Sequence, residues 1–259
     1  MANVVLLSFD LEEFDLPLEL GQKLDLEKQF DFSRKGLETI LKILKEERIS
    51  ATFFVTGDFA LRYPKLIKEI SKKHEISSHS LSHLKKRYSA ENAKKSKEII
   101  ERLIGKKIYG FRMPRLSRVD SRSLSNMGFR YDSSYSPTFL PGRYNNLSGK
   151  RGLFNRGKIT IVPISVHKTF RLPFWIFFRL FGLNYIKSLT RSCIKDPGFV
   201  VLYFHPWEFN DLKNFNLPVY LMKKRSGAEM CKTLTAYIQW CKKNKYEFST
   251  FYDFLKTFS

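Results

Sequence analysis

The chain alternates short, almost wholly apolar runs with longer segments in which apolar residues recur every three or four positions. Val4 to Phe9 is the first run, ending on Asp10. Its lack of polar alternation predicts a strand buried on both faces. Ser33 offers an N-cap for a helix through Leu37, Ile40, Leu41 and Leu44, which fall at helical spacing. Ala51 to Val55 predicts a second buried strand, and Gly57 introduces a helix carrying Leu66, Ile67 and Ile70. Glu75 to Ser78 predicts a short third strand running into His79, followed by a basic helix over Ala93 to Ile104. Ile108 to Phe111 predicts a fourth strand ending at Arg112. A helical stretch from Ser121 to Met127 then leads to Phe129–Tyr131, which ends at Asp132. Ser136 to Arg156 is rich in Gly, Pro and Asn and predicts a long loop. Strands follow over Ile159 to Ile164 and Phe199 to Phe204, the latter ending at His205. An amphipathic helix near Glu229 to Lys242 and a last strand over Glu247 to Phe251 complete the pattern.

Strand–helix alternation implies a parallel sheet, and seven or eight such units in 259 residues favour a barrel over an open sheet. Neither an internal repeat nor a linker divides the chain, so residues 1–259 are expected to form one α/β domain. Asp10, His79, Arg112, Asp132 and His205 all fall at the carboxyl ends of predicted strands. In a barrel those ends meet on one face, where active sites are built. His79 and His83 also stand four apart, and residues at that spacing project from the same side of a helical turn. Two imidazoles so placed converge on one metal ion. The plainer reading is a pair of capping or surface histidines.

Composition adds less. With 43% hydrophobic and 27% charged residues, the chain has the makeup of an ordinary globular core. Its 46 basic against 25 acidic residues give a net charge of +21, which favours nucleic acid, an anionic membrane or an anionic substrate carrier. Lysine runs such as Lys94–Lys95, Lys223–Lys224 and Lys242–Lys243 read as solvated helix faces. No nucleic-acid recognition motif appears, so a nucleic-acid partner is not expected. Cys193, Cys231 and Cys241 make an odd count without CxxC spacing, which suits a reducing compartment. The N-terminal apolar run is too short for a signal peptide and no stretch reaches membrane-span length, so a cytoplasmic protein is expected. Between residues 170 and 191 lies an aromatic, basic segment holding Phe174, Trp175, Phe178 and Arg179. It suits either an interfacial helix on anionic lipid or a barrel helix packed on the core.

Five ordered motifs carry a resemblance: Ser8-Phe9-Asp10-Leu11-Glu12, Ala51-Thr52-Phe53-Phe54-Val55, Ser78-His79-Ser80-Leu81-Ser82-His83, Gly110-Phe111-Arg112-Met113-Pro114 and Phe204-His205-Pro206-Trp207-Glu208. Together they resemble the polysaccharide deacetylase family of chitooligosaccharide-deacetylase-like carbohydrate esterases. The His-Pro-Trp-Glu ending is similar to a bacterial branch associated with exopolysaccharides. The resemblance implies a distorted (β/α) barrel of about seven strands. It also implies metal-assisted hydrolysis of the N-acetyl group of a sugar in a polysaccharide or lipid-linked glycan, with a divalent ion, usually Zn2+. On that pattern His79 and His83 are metal ligands and Asp10 is the general base toward the attacking water. Arg112 is expected to hold Asp10 by a bidentate contact, and His205 to be the general acid for the leaving amine. The family commonly has two adjacent aspartates in its first motif. Here Leu11 points to the opposite face of the strand and Glu12 returns to the face of Asp10, so Glu12 is the candidate third ligand. Glu13 and Asp15 are the nearby competitors, otherwise ordinary loop carboxylates. Trp207 is expected to wall the acetyl methyl, Pro114 to fix the turn after Arg112, and Glu208 to orient His205 or cap the next segment. Asp132 matches a position near the pocket. Because relatives with altered first motifs act without metal on cyclic amides, a metal-independent amidohydrolase is the alternative. A catalytically silent glycan- or membrane-binding barrel is another.

Overall fold

The computed structural model of the protein describes residues 3–84, 88–140, 144–218 and 223–258. Strand β1 (Val4–Leu11) is buried along its whole length. Helix α1 (Leu16–Glu19) and the long α2 (Leu26–Glu46) follow, then β2 (Thr52–Val55), α3 (Gly57–Arg62), α4 (Pro64–Ile70) and β3 (Glu75–Ser78). Next come α5 (Ala90–Ile104), β4 (Gly110–Phe111), α6 (Ser121–Asn126) and β5 (Tyr131–Asp132). The short β6 (Phe139–Leu140) and β7 (Tyr144–Asn145) pair with each other, ahead of β8 (Phe154–Arg156) and β9 (Ile159–Ile161). The chain closes with α7 (Phe174–Leu180), α8 (Leu183–Lys195), β10 (Phe199–Phe204), α9 (Ala228–Lys243), β11 (Glu247–Ser249) and α10 (Phe251–Lys256).

The main sheet runs β10-β1-β2-β3-β4-β5-β9-β8, with β11 also pairing β1. The seven strands from β10 to β9 are parallel to their neighbours, while β8 is antiparallel. This is the α/β architecture expected from strand–helix alternation, as a curled half-barrel. Between β9 and β10 the described residues show no strand ladder. Instead, Ser165 N–H donates to the Val201 carbonyl at 3.3 Å and Val201 N–H to Ser165 Oγ at 2.8 Å.

Alternation along β1 sorts its side chains between two layers. Val5, Leu7, Phe9 and Leu11 pack toward the outer helices, while Val4 and Leu6 join Phe54, Tyr131, Val201 and Phe251 inside the sheet's curl. Ser8 and Asp10 share the inner parity, so the concave interior becomes polar toward the carboxyl ends of the strands.

Several element boundaries differ from the sequence expectation. Ser33 is not an N-cap: α2 begins after Asp25, and Ser33 is buried within it beside Gln29, Phe30 and Gly36. The single helix expected after Gly57 and carrying Leu66, Ile67 and Ile70 is two helices that break at Tyr63–Pro64, where proline cannot donate the backbone bond. The stretch from Ser136 to Arg156 is not a bare loop, because it holds β6, β7 and β8. Strands β4, β5 and β9 are shorter than the apolar runs suggest. Phe251 starts α10 with Thr250 as N-cap rather than ending β11.

Candidate active site and metal centre

The candidate ligands reach one point from two loops, one after β1 and one after β3, the strands on either side of β2. Glu12 leaves the end of β1. His79 follows β3 directly and His83 comes four residues later. They do not ride on a helical turn: 79–84 is irregular, and Ser80 takes a left-handed φ of 62°. The loop is tied down instead by the start of α3, where Gly57 N–H donates to the Ser80 carbonyl at 3.0 Å and Asp58 N–H to that of Leu81 at 2.9 Å. Glu13 Oε1 accepts from His83 N–H at 2.8 Å. Convergence of the two imidazoles therefore comes from the loop's anchoring, with ring centroids 6.1 Å apart.

One carboxylate oxygen, Glu12 Oε2, lies 3.1 Å from His79 Nε2 and 3.2 Å from His83 Nε2. Tautomers are fixed from behind. His79 Nδ1 lies 2.8 Å from the Arg112 carbonyl oxygen, which only accepts, so Nδ1 donates and Nε2 keeps its lone pair. His83 Nδ1 likewise donates to Asp15 Oδ1 at 2.9 Å, and Arg115 holds the other Asp15 oxygen at 2.7 Å. Two neutral imidazole lone pairs and a carboxylate oxygen thus face one another in a buried space, three acceptors without a donor. Such a set is stable only with a proton or a cation between its members. The three ligand atoms lie within 4.8 Å of one another. Moreover, 3.1–3.2 Å is close to the ligand–ligand edge of about 3.3 Å for a tetrahedral ion with bonds of about 2.0 Å. The donor set fits a divalent metal.

Charge coupling in the metal-free site follows from the same contacts. Burial alone would raise Glu12, but His83, His205 and the His79 contact outweigh it and hold the carboxyl at about 2. Burial would lower His83, but Glu12, Asp15 and Glu13 outweigh it and push the imidazole up to about 9. Desolvation dominates at Glu13, whose carboxyl rises to about 7.

Asp10 lies beside this cluster, with Oδ2 3.9 Å from His79 Nε2. Its other oxygen accepts a single arm of Arg112, Nη1, at 2.6 Å. The bidentate clamp expected from sequence is absent. Arg112 is fully buried and spends its remaining donors on Ser8 Oγ, Ser133 Oγ and the Ser133 carbonyl, with its guanidinium 4.0 Å over the Phe54 ring. It supports Asp10 from behind and does not line the cleft.

His205 sits across the cleft, its Nε2 3.7 Å from Glu12 Oε1. Nδ1 donates to Glu208 Oε1 at 2.7 Å, and the same oxygen accepts the His205 backbone N–H at 3.1 Å. Glu208 therefore orients His205 and caps its turn at once. Burial would lower His205, yet the carboxylates of Glu12, Glu208 and Asp10 outweigh it and raise its pKa. Trp207 stacks on the His205 ring at 4.9 Å and 18°. Above the cluster opens a cleft walled by Trp207, Trp175, Tyr203 and Leu116.

Two expected substrate contacts fall elsewhere. Asp132 does not line the cleft. Its carboxyl accepts from the backbone and hydroxyl of Ser134, and burial raises it to about 6. Pro114 also stays outside the lining, but it opens the turn that carries Arg115 and Leu116 to the cleft with φ of 57° and 50°. Sequence reading missed Arg115 as the partner of Asp15, and it treated Asp15 as a mere competitor of Glu12. It also missed Arg179, whose signal was a lone charge inside an apolar helix.

Fold and site together place a candidate metal centre at the mouth of a half-barrel, and comparison with known proteins narrows its class. Residues 4–131, just under half of the chain, match the model of the polysaccharide deacetylase family. His205 and Arg179 lie outside it. Over 45 residues the chain is 47% identical to the peptidoglycan-N-acetylmuramic acid deacetylase PdaA of Bacillus subtilis strain 168, a match spanning 17% of each chain. Among solved structures, a probable polysaccharide deacetylase from Pseudomonas aeruginosa PAO1 superposes with a TM-score of 0.66 at 17% identity, covering 97% of this chain and 89% of the other. Puue allantoinase gives 0.65 at 17% identity over the same shares. At such identities these likenesses show the fold. No helix among the described residues is long and apolar enough to cross a membrane.

Proposed function

We propose that the protein is a metal-dependent hydrolase that removes N-acetyl groups from an N-acetylated sugar of a polysaccharide or lipid-linked glycan. The observation that carries this reading is the set of two imidazole lone pairs and one carboxylate oxygen facing each other between Asp10 and His205. Glu12, His79 and His83 would hold the metal. Their neutral nitrogen and carboxylate donors suit Zn2+. Bound there, a divalent ion would polarise the acetyl carbonyl and make a water molecule acidic. Asp10, fixed by Arg112 at 2.6 Å, takes a proton from the attacking water. His205 Nε2 delivers a proton to the departing amine nitrogen as the C–N bond breaks, so acetate and a free amino sugar leave. Trp207 stacks behind His205 as an apolar wall suited to the acetyl methyl.

An exopolysaccharide or its lipid-linked precursor is the glycan class that the His-Pro-Trp-Glu motif favours, with a cytoplasmic site of action. Exposed Phe170 and Phe181, flanking α7, together with the net charge of +21, support peripheral contact with anionic lipid. Phe174 and Phe178 support none of it, being buried in the core. A metal-independent amidohydrolase on the same fold is the competing reading, which the allantoinase likeness keeps in play. Acetate release from acetylated glycan oligomers should be abolished by chelation and restored by Zn2+. Chelator-insensitive turnover would instead select the metal-free amidohydrolase.

A further inference from the structure

Helix α7 turns two kinds of residue in two directions. Phe174 and Phe178, four apart, are buried in the core, where Phe178 meets Phe204 and Tyr237 edge-on at 4.9 and 5.4 Å. Trp175 and Arg179, also four apart, face the cleft. Arg179 is 1% exposed. A guanidinium so buried is costly unless a partner of opposite charge is fixed close by. That partner is Glu208 Oε2, 2.6 Å from Arg179 Nη2 and equally buried. The other Glu208 oxygen is committed to His205 Nδ1 and to the His205 backbone N–H. Arg179, Glu208 and His205 therefore form one buried line whose far end, His205 Nε2, opens into the cleft. Trp207 stacking restrains the ring plane but gives no acceptor to the Nδ1 proton that an imidazolium donating from Nε2 must also place. That acceptor is Glu208, and Arg179 is the cation that keeps it ionised and in place.

We propose that Arg179 is a positioning residue for the proton delivered to the leaving group. It acts through Glu208 on His205 and leaves the Glu12–His79–His83 cluster untouched. The inference rests on the deacetylase reading above. Its consequence is selective. An amide nitrogen leaves only when protonated, whereas the nitrophenolate of 4-nitrophenyl acetate leaves without a proton. A defect in the Arg179–Glu208–His205 line therefore lowers the amide rate more than the ester rate. A disturbed metal site or a loosened fold lowers both together.

The test measures kcat for acetate release from chitotetraose and kcat for 4-nitrophenyl acetate hydrolysis, with the zinc-loaded full chain. In Arg179→Met the amide-to-ester ratio is expected to fall about 10–100-fold, the usual cost of losing an outer partner, with zinc content unchanged. Glu208→Gln should behave alike, and the double variant should be no worse than the worse single one, because both act on one group. Arg179→Lys should recover part of the ratio; if the Met variant does not fold, any fall of the ratio in the Lys variant supports the proposal and none overturns it. Equal loss on both substrates, additive losses, or an unchanged ratio overturns it. Should the wild-type chain release no acetate from any glycan, the deacetylase reading fails. The proposal is then read from nitrogen-edited NMR of the zinc-loaded chain. There the hydrogen-bonded His205 Nδ1 proton must be visible in wild type and lost in Arg179→Met, and its persistence would overturn the proposal.

Discussion

Asp10 and Arg112 show how little freedom the central residues have. Arg112 shares one arm, Nη1, between Asp10 and Ser8 and turns Nε and Nη2 to Ser133, inside a shell of aromatic rings. Replacing Asp10 with Asn keeps the shape and removes the proposed base. Acetate release should fall about 10²–10⁴-fold while zinc stays bound, as kinetics and metal analysis on the same preparation would reveal. Arg112→Met should instead damage the fold, because it strands a buried carboxylate. Denaturant unfolding should register a loss of about 3–5 kcal/mol. A loss below 1 kcal/mol would mean that Asp10 finds another partner. These two residues were legible in the sequence, since each closes an apolar run that could only be a strand. Arg112's division of its donors was not legible, because Ser133 reaches it from β5 through tertiary packing alone.

The elements matter through a few close approaches. Helix α2 crosses the turn after His205 at Gly36, where a Cβ would overlap the carbonyl of Pro206. Asn210 Nδ2 also donates to the Phe32 carbonyl at 2.6 Å. Since the obstructing atom is backbone, Gly36→Ala must push the His205–Glu208 turn away from the helix. An overpacking cost of about 1–3 kcal/mol is expected, together with loss of acetate release despite an intact metal site. Wild-type activity in this variant, at unchanged thermal stability, would show that the contact yields at no cost. Sequence reading began this helix at Ser33 because the polar stretch before it hides Phe30 and Gln29 on the buried face. The same reading put the two histidines on a helix. Their spacing was informative, yet the geometry came from the Ser80 turn and its bonds to α3. The segment holding Arg179 reads from sequence as an interfacial or core-packed helix, since nothing local predicts a partner 29 positions away.

At the scale of the whole molecule, metal, protons and stability are linked. His83 carries a raised pKa of about 9 in the metal-free chain, so its contribution to stability is complete below about 6.5 and disappears as pH rises through about 9. Metal-free protein should therefore lose melting temperature across that window, while zinc-loaded protein should not. Metal binding near pH 7 must also displace the His83 proton, and calorimetry in buffers of different ionisation enthalpy should detect about one proton released. No release would mean that His83 is already neutral and that Asp15 does not hold its charge. Zinc at about 1,000 times its Kd should add about 4 kcal/mol to stability, if the folded chain alone binds it.

In the proposed function Glu12, His79 and His83 hold one metal ion that serves Asp10 and His205. Metal content of the purified full chain, measured alongside acetate release, tests it most directly. One tightly held divalent ion per chain is expected, lost together with activity in His83→Ala and on chelation, with activity returning with zinc in the wild type only. A metal-free chain that hydrolyses its substrate at full rate would contradict it.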